Sequence, residues 1–158
     1  PEVDESYPDT LSGEEIPLYI SQEKAAAYRR FMKDNTLLIT ADTIVWLDGK
    51  EYGKPRTTAD AKAMLQALSG KTHTVITGVT LTSLQKQISF AVSTEVTFAA
   101  LGDDEIDYYV ETYRPLDKAG AYGVQEWIGY IGVTGLKGSY YNVMGLPIQR
   151  LYTELKKF

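Results

Sequence analysis

A single charge interrupts an otherwise uncharged run of twelve residues, Thr36-Leu-Leu-Ile-Thr-Ala-Asp42-Thr-Ile-Val-Trp-Leu47. A run of this length, rich in β-branched side chains, predicts a buried strand. A lone carboxylate inside such a strand costs several kcal/mol unless something offsets it. A charge partner, a metal or a catalytic role are the usual reasons for keeping one. A structural ion pair explains Asp42 as readily as chemistry does, so the residue type alone leaves the choice open.

The rest of the composition narrows the field. A chain of 158 residues with 44% hydrophobic residues predicts one globular domain, 1–158. The net charge of −5 argues against nonspecific nucleic-acid binding, which needs a basic face. There is no cysteine and one histidine, His73, so any metal must be held mainly by oxygen, which favours magnesium or manganese. No apolar stretch approaches the length of a membrane span, and no secretory signal pattern opens the chain; both point to the cytoplasm and to no membrane partner.

Local signals predict an α/β domain with a mixed sheet. Ser12 and Glu15 have capping-box spacing before a helix to about Lys33, with Ile16, Ile20, Ala27 and Phe31 on its apolar side. Asp48-Gly49 predicts a tight hairpin with its return strand at Lys50–Gly53. Thr57 caps a second helix to Leu68, ended by Ser69-Gly70. Thr72–Ser83 and Gln87–Ala99 read as long strands, and a third helix runs from Gly102 to Thr112. Leu116–Gly123 reads as a loop, Trp127–Leu136 as a strand, and Ile148–Lys157 as a last helix.

Several segments carry candidate chemistry, each beside a plainer explanation. Alternation along the strand places Asp42 on one face with Thr40, Ile44 and Trp46, and Thr43 on the other with Ala41 and Val45. Lys54, in Tyr52-Gly-Lys-Pro55, is held where a phosphate can meet a point charge, yet turn lysines are usually solvated. Gln125 follows the small residues of Ala119-Gly-Ala-Tyr-Gly123. Its amide can read a base edge by donating and accepting, or simply face water. His73, at a strand start, reads as structural or exposed. Tyr108-Tyr109 and Tyr140-Tyr141 can stack on bases, though core and interface roles are commoner. Lys24 and Glu5 carry no signal by themselves.

Taken in order, the segments Val3-Asp-Glu-Ser6, Glu23-Lys-Ala25, Ala41-Asp-Thr-Ile-Val45, Asp48-Gly-Lys-Glu-Tyr-Gly-Lys-Pro55, Leu68-Ser-Gly-Lys-Thr-His73, Thr77-Gly-Val79, Pro115-Leu-Asp-Lys-Ala-Gly-Ala-Tyr-Gly-Val-Gln125 and Asn142-Val-Met-Gly-Leu-Pro147 closely resemble the Maf family. These are nucleoside triphosphate pyrophosphatases, first named as septum-formation inhibitors. The resemblance runs from Val3 to Leu151. It implies an inosine-triphosphatase-like fold, a twisted mixed sheet with flanking helices and a cleft between two lobes. It implies cleavage between the α and β phosphates to a nucleoside monophosphate and pyrophosphate.

By the same resemblance the proton acceptor falls on Asp42. Lys24, Lys54 and Lys118 fall in the phosphate-binding positions. Glu5, Asp42 and Asp117 are the metal-ligand candidates for Mg2+ or Mn2+. Whether Asp42 is base, metal ligand or both stays open. Thr43 and Gln125 match the branch preferring dTTP and UTP over the branch acting on 7-methyl-GTP. That other branch, and a nucleotide-binding regulator of division without important turnover, are the rival expectations. Homodimers are common among such proteins, and the aromatic-rich C-terminal half offers an interface.

This sequence differs from the family at its start, where a strand and a Ser-x-Ser-Pro-Arg-Arg loop are expected. The difference predicts an N-terminally truncated domain with an unpaired sheet neighbour and weak or no activity. Full activity of the 158 residues would overturn that expectation. Glu126 is a milder difference, standing where many relatives have Gly after Gln.

Overall fold

The computed structural model describes residues 2–158. It contains a five-stranded sheet in the order β2-β1-β3-β4-β5. The strands are β1 (Leu38–Leu47), β2 (Lys50–Tyr52), β3 (Thr72–Thr82), β4 (Gln87–Phe98) and β5 (Val133–Lys137). Helices α1 (Glu15–Tyr28), α2 (Thr58–Leu68), α3 (Asp103–Tyr113), α4 (Trp127–Gly132), α5 (Tyr140–Met144) and α6 (Ile148–Lys157) flank it. The α/β class with helices around a sheet is as expected. The expected mixed pairing is not: among the described residues every neighbouring pair of strands is antiparallel.

The Asp48-Gly49 turn has both residues in the left-handed region, at φ 52° and 76°, as a two-residue hairpin with the strands' own twist demands. It pairs Val45–Leu47 with β2 and no further. Among the described residues, the β1 edge before Val45 therefore has no strand beside it, and Asp42 and Thr43 lie on that stretch.

The two faces of β1 pack differently. Ile44 joins Ile16 and Ile20 of α1 and Ile76 of β3 in one cluster, with Trp46 against it. Val45 belongs to the larger core built with α2, α3 and the 121–124 segment. α1 lies so close to the sheet that a Cβ at Gly78 would meet the Pro17 carbonyl at 2.5 Å. Gly78 is the register partner of Asp42. The absent side chain lets α1 sit directly over the carboxylate.

Three expectations need correction. The first helix ends at Tyr28 and tightens into a 3-10 turn at Arg29–Phe31. Ala25 is buried in place of Ala27, and Phe31 is exposed, because the helix stops before Phe31 could return to the apolar side. Glu15 accepts from the Ser12 N–H, but Ser12 does not cap the helix in return.

Trp127–Gly132 is helical, and only Val133–Lys137 is strand. Ile128 and Gly132, four apart, are buried while Tyr130 is 77% exposed. A strand would have put Tyr130 on the face of Ile128. A short helix, α5, also went unpredicted; Ser139 caps it by accepting from the Asn142 N–H. The Thr57 cap of α2 is as expected, with its hydroxyl accepting from the Asp60 N–H at 3.1 Å.

Candidate active site

The open edge of β1 forms one wall of a cleft of about 270 Å3. Every residue that sequence reasoning singled out for catalysis, phosphate, metal or specificity lines it: Glu5, Lys24, Asp42, Thr43, Lys54, Asp117, Lys118 and Gln125. His73 does not; it is buried beneath the cleft wall.

Asp42 is held by α1. The Lys24 ammonium donates to the Ala41 carbonyl at 3.0 Å, and lies 3.5 Å from Asp42 Oδ1 and 3.3 Å from Glu5 Oε1. One cation thus stands between two carboxylates. Lys54, from the segment after the hairpin, reaches the other Glu5 oxygen at 3.9 Å. Asp42 Oδ2 is buried without a hydrogen-bond partner among the described residues. Such an orphaned acceptor signals a group that belongs there.

Burial pushes the Asp42 carboxyl up to about 6; Lys24 pulls it down, and Glu5 and Glu51 push it up again. The group is then poised to take and release a proton near neutral pH. Glu51, on β2, carries no signal in the sequence, since nothing in Lys50-Glu-Tyr52 marks it as half-buried. Pairing with Trp46 brings it to the side of the hairpin where its charge reaches Asp42. Burial pushes its own carboxyl up as well.

Thr43, on the opposite face of β1, exchanges a hydroxyl hydrogen bond of 2.8 Å with Thr77 and donates to the Gly145 carbonyl at 3.4 Å. That ties β1 to the end of α5. Asn142 pins α5 to the sheet: its buried amide nitrogen donates to the Val75 and Val92 carbonyls and to the Thr94 hydroxyl. Val143, Met144 and Gly145 consequently line the cleft. The Asn142–Pro147 motif entered the sequence reading only as a resemblance; the Ser139 cap was the local signal for it.

Lys118 pairs with Asp117 at 3.2 Å, and this hydrogen bond holds the Asp117 carboxyl below its ordinary value. The expected three-carboxylate metal set is therefore not assembled. Among the described residues no three His, Cys, Asp or Glu side chains converge as ligands. Glu5 Oε1 and Asp42 Oδ1 do share one cation position, taken by the Lys24 ammonium, and Asp42 Oδ2 is a further buried oxygen without a partner among the described residues. Two carboxylate oxygens suit a magnesium ion, which keeps several waters and takes the rest of its ligands from phosphates.

Comparison with known proteins identifies the family. The profile of the family described as "Maf-like protein" matches residues 1–158. A protein of Phocaeicola vulgatus named dTTP/UTP pyrophosphatase is 67% identical over 157 residues, covering 99% of this chain and 81% of the relative. One of Bacteroides fragilis with the same name is 64% identical with the same coverage. One of Porphyromonas gingivalis, again so named, is 54% identical, covering 100% of this chain and 80% of the relative. With the motifs of the sequence gathered around one cleft and the family profile matching from end to end, the chain belongs to the Maf family.

Proposed function

We propose that this chain is a nucleoside triphosphate pyrophosphatase that hydrolyses dTTP and UTP to the nucleoside monophosphate and pyrophosphate. The observation that carries the reading is Asp42: a buried carboxylate at about 6, one oxygen held by Lys24 and the other free, at the wall of a cleft lined with lysines. The names of the relatives supply the substrates.

A triphosphate brings about four negative charges near neutral pH, so its binding and cleavage depend on positioned positive charge. Lys24, Lys54 and Lys118 supply it. The Asp42 carboxylate, at the cleft wall, accepts a proton from the attacking water. The water oxygen bonds to phosphorus as the bridging α–β P–O bond breaks, and pyrophosphate leaves with the electron pair of that bond. Asp42 then returns its proton to solvent, which a group near 6 does readily at neutral pH. Thr43 and Gln125 read the base, Gln125 through an amide that donates and accepts at once.

Glu5 and Asp42 are the residues we propose to hold a divalent cation, Mg2+ or Mn2+. Such an ion, when bound, neutralises phosphate charge and acidifies water. Asp117 joins them only if its pair with Lys118 opens.

We further read residues 1–158 as one Maf-like domain, with the cytoplasm as its place of work. No helix among the described residues is long and apolar enough to cross a membrane. Exposed Tyr141, Met144, Ile148 and Tyr152 offer apolar surface for a homodimer, which sedimentation would read.

The test is pyrophosphate release from dTTP, UTP, CTP, GTP and 7-methyl-GTP, with and without magnesium. It is run on this chain and on a version completed with the residues of the Phocaeicola vulgatus relative outside the match. Turnover confined to dTTP and UTP supports the reading. Preference for 7-methyl-GTP, or tight binding without turnover by either version, overturns it.

A further inference from the structure

Gln125 occupies the third position of a four-residue turn, Gly123-Val-Gln-Glu126, closed by the Glu126 N–H donating to the Gly123 carbonyl at 3.0 Å. Gln125 itself is exposed at the cleft, and its side chain makes no hydrogen bond among the described residues that would hold its place. Its position is set by the turn.

Both ends of that turn converge on one phenol. The Gly123 N–H donates to Tyr109 Oη at 3.0 Å, and the Tyr109 O–H donates to Glu126 Oε1 at 2.6 Å. Tyr109 is fully buried in α3, its ring stacked on Tyr113 at 5.1 Å, so the anchor point is rigid. The turn cannot slide on it either. A Cβ at Gly123 would lie 2.7 Å from Glu126 Oε1 and 2.9 Å from Lys118 Cε, leaving no slack between the carboxylate, the turn and the lysine stem. Upstream, the Gly120 N–H donates to the Gly53 carbonyl, which fixes the loop beside Lys54.

We infer that Tyr109 and Glu126 are positioning residues for base discrimination: the phenol clamps both ends of the turn and so sets where the Gln125 amide meets the base. The inference rests on the proposed reading that Gln125 contacts the base. Neither residue lines the cleft, so the clamp acts on which nucleotide is accepted, and the proton chemistry of Asp42 is left as it is.

Removing the hydroxyl strands two groups at once, a buried backbone N–H and a carboxylate. Glu126 needs only an acceptor oxygen for its part, which a glutamine amide also provides. A purely structural role predicts changes in stability or overall affinity. A positioning role predicts a change in the ratio between bases.

The experiment measures equilibrium dissociation constants for UTP and CTP in the Asp42→Asn background, where substrate is not consumed, with melting temperatures alongside. The variants are Tyr109→Phe, Glu126→Ala, Glu126→Gln and Gln125→Ala. Gln125→Ala, Tyr109→Phe and Glu126→Ala should each lower the CTP-to-UTP ratio of dissociation constants by about five- to tenfold, the effect of one to two hydrogen bonds. Glu126→Gln should keep it within about twofold, since the acceptor survives. If Tyr109→Phe fails to fold, the Glu126 pair decides. A ratio that falls for Gln125→Ala but not for Glu126→Ala or Tyr109→Phe overturns the clamp and leaves the base-reading role of Gln125 standing. A ratio unmoved by Gln125→Ala overturns both.

Discussion

Lys24 and Asp42 meet across the gap between α1 and β1, ammonium to Oδ1 at 3.5 Å, while Oδ2 of the same carboxylate is buried with nothing bonded to it. One oxygen is paired and the other is buried without a partner. Lys24 also holds Glu5, so its single charge is divided between two carboxylates. The proton affinity of Asp42 then depends on named neighbours acting with opposite signs, and each can be removed.

Lys24→Met should raise the Asp42 pKa above 6, because Lys24 is the group that pulls it down. Glu5→Gln should lower it, because the Glu5 charge pushes it up. Shifts of about one unit in each direction are expected for charges this close. The 13C carboxyl resonance of Asp42, titrated in chelator, reads both. Shifts of the same sign in the two variants would contradict the assignment.

Asp42 and His73 make opposing contributions to stability on the acid side. The folded pKa of Asp42, about 6, lies above the ordinary carboxyl value of 3.8, so the native state binds the extra proton in that window and gains stability as pH falls. Burial pushes His73 down to about 4 from 6.5, so there the unfolded state binds the extra proton and stability is lost as pH falls. Each contributes on the order of a few kcal/mol over its window, with opposite signs. Urea unfolding of metal-free protein from pH 6.5 to 4 should show Asp42→Asn losing stability more steeply than the parent. His73→Gln should lose it less steeply. Parallel curves for all three proteins would refute this balance.

Gly78→Ala places a methyl within 2.5 Å of the Pro17 carbonyl, against helix backbone that cannot rotate away. The expected destabilisation is about 1–3 kcal/mol, the usual range for overpacking. Because α1 carries Lys24, the displaced helix should also lower turnover, whereas Gly135→Ala on β5, where a Cβ meets only Thr97 at 3.8 Å, should not. Denaturant melts and pyrophosphate release on the two variants check both statements.

Much of this site was legible along the chain because its residues sit beside strong local signals. Asp42 is the one charge in the apolar run that forms β1, although the strand is half-buried and not fully buried as that run predicts. Lys54 follows a hairpin that Asp48-Gly49 specifies, and the Gly123–Glu126 turn follows a run of small residues. Lys24 and Glu5 gave no such signal. Lys24 is an ordinary helix lysine until Gly78 lets α1 close on the sheet, and Glu5 matters only because Lys24 and Lys54 are beside it. Resemblance, not local pattern, brought those two forward.

Helix α4 was read as strand because an apolar run with few polar interruptions does not distinguish the two. Packing decided it: a side chain at Gly129 would collide with the Val124 carbonyl, and Ile128 needs its partner four residues on. The pairing direction of the sheet was likewise beyond local patterns, since neighbours are fixed by β3 reaching back across the whole of β1.

The most direct test is steady-state pyrophosphate release from dTTP and UTP by this chain, by the version extended with the relative's residues outside the match, and by the Asp42→Asn variant of each, with nucleotide binding measured in parallel. A general base at Asp42 predicts a loss of turnover of about 10²–10⁴-fold in the variant, with binding retained. Turnover unchanged by Asp42→Asn would contradict it.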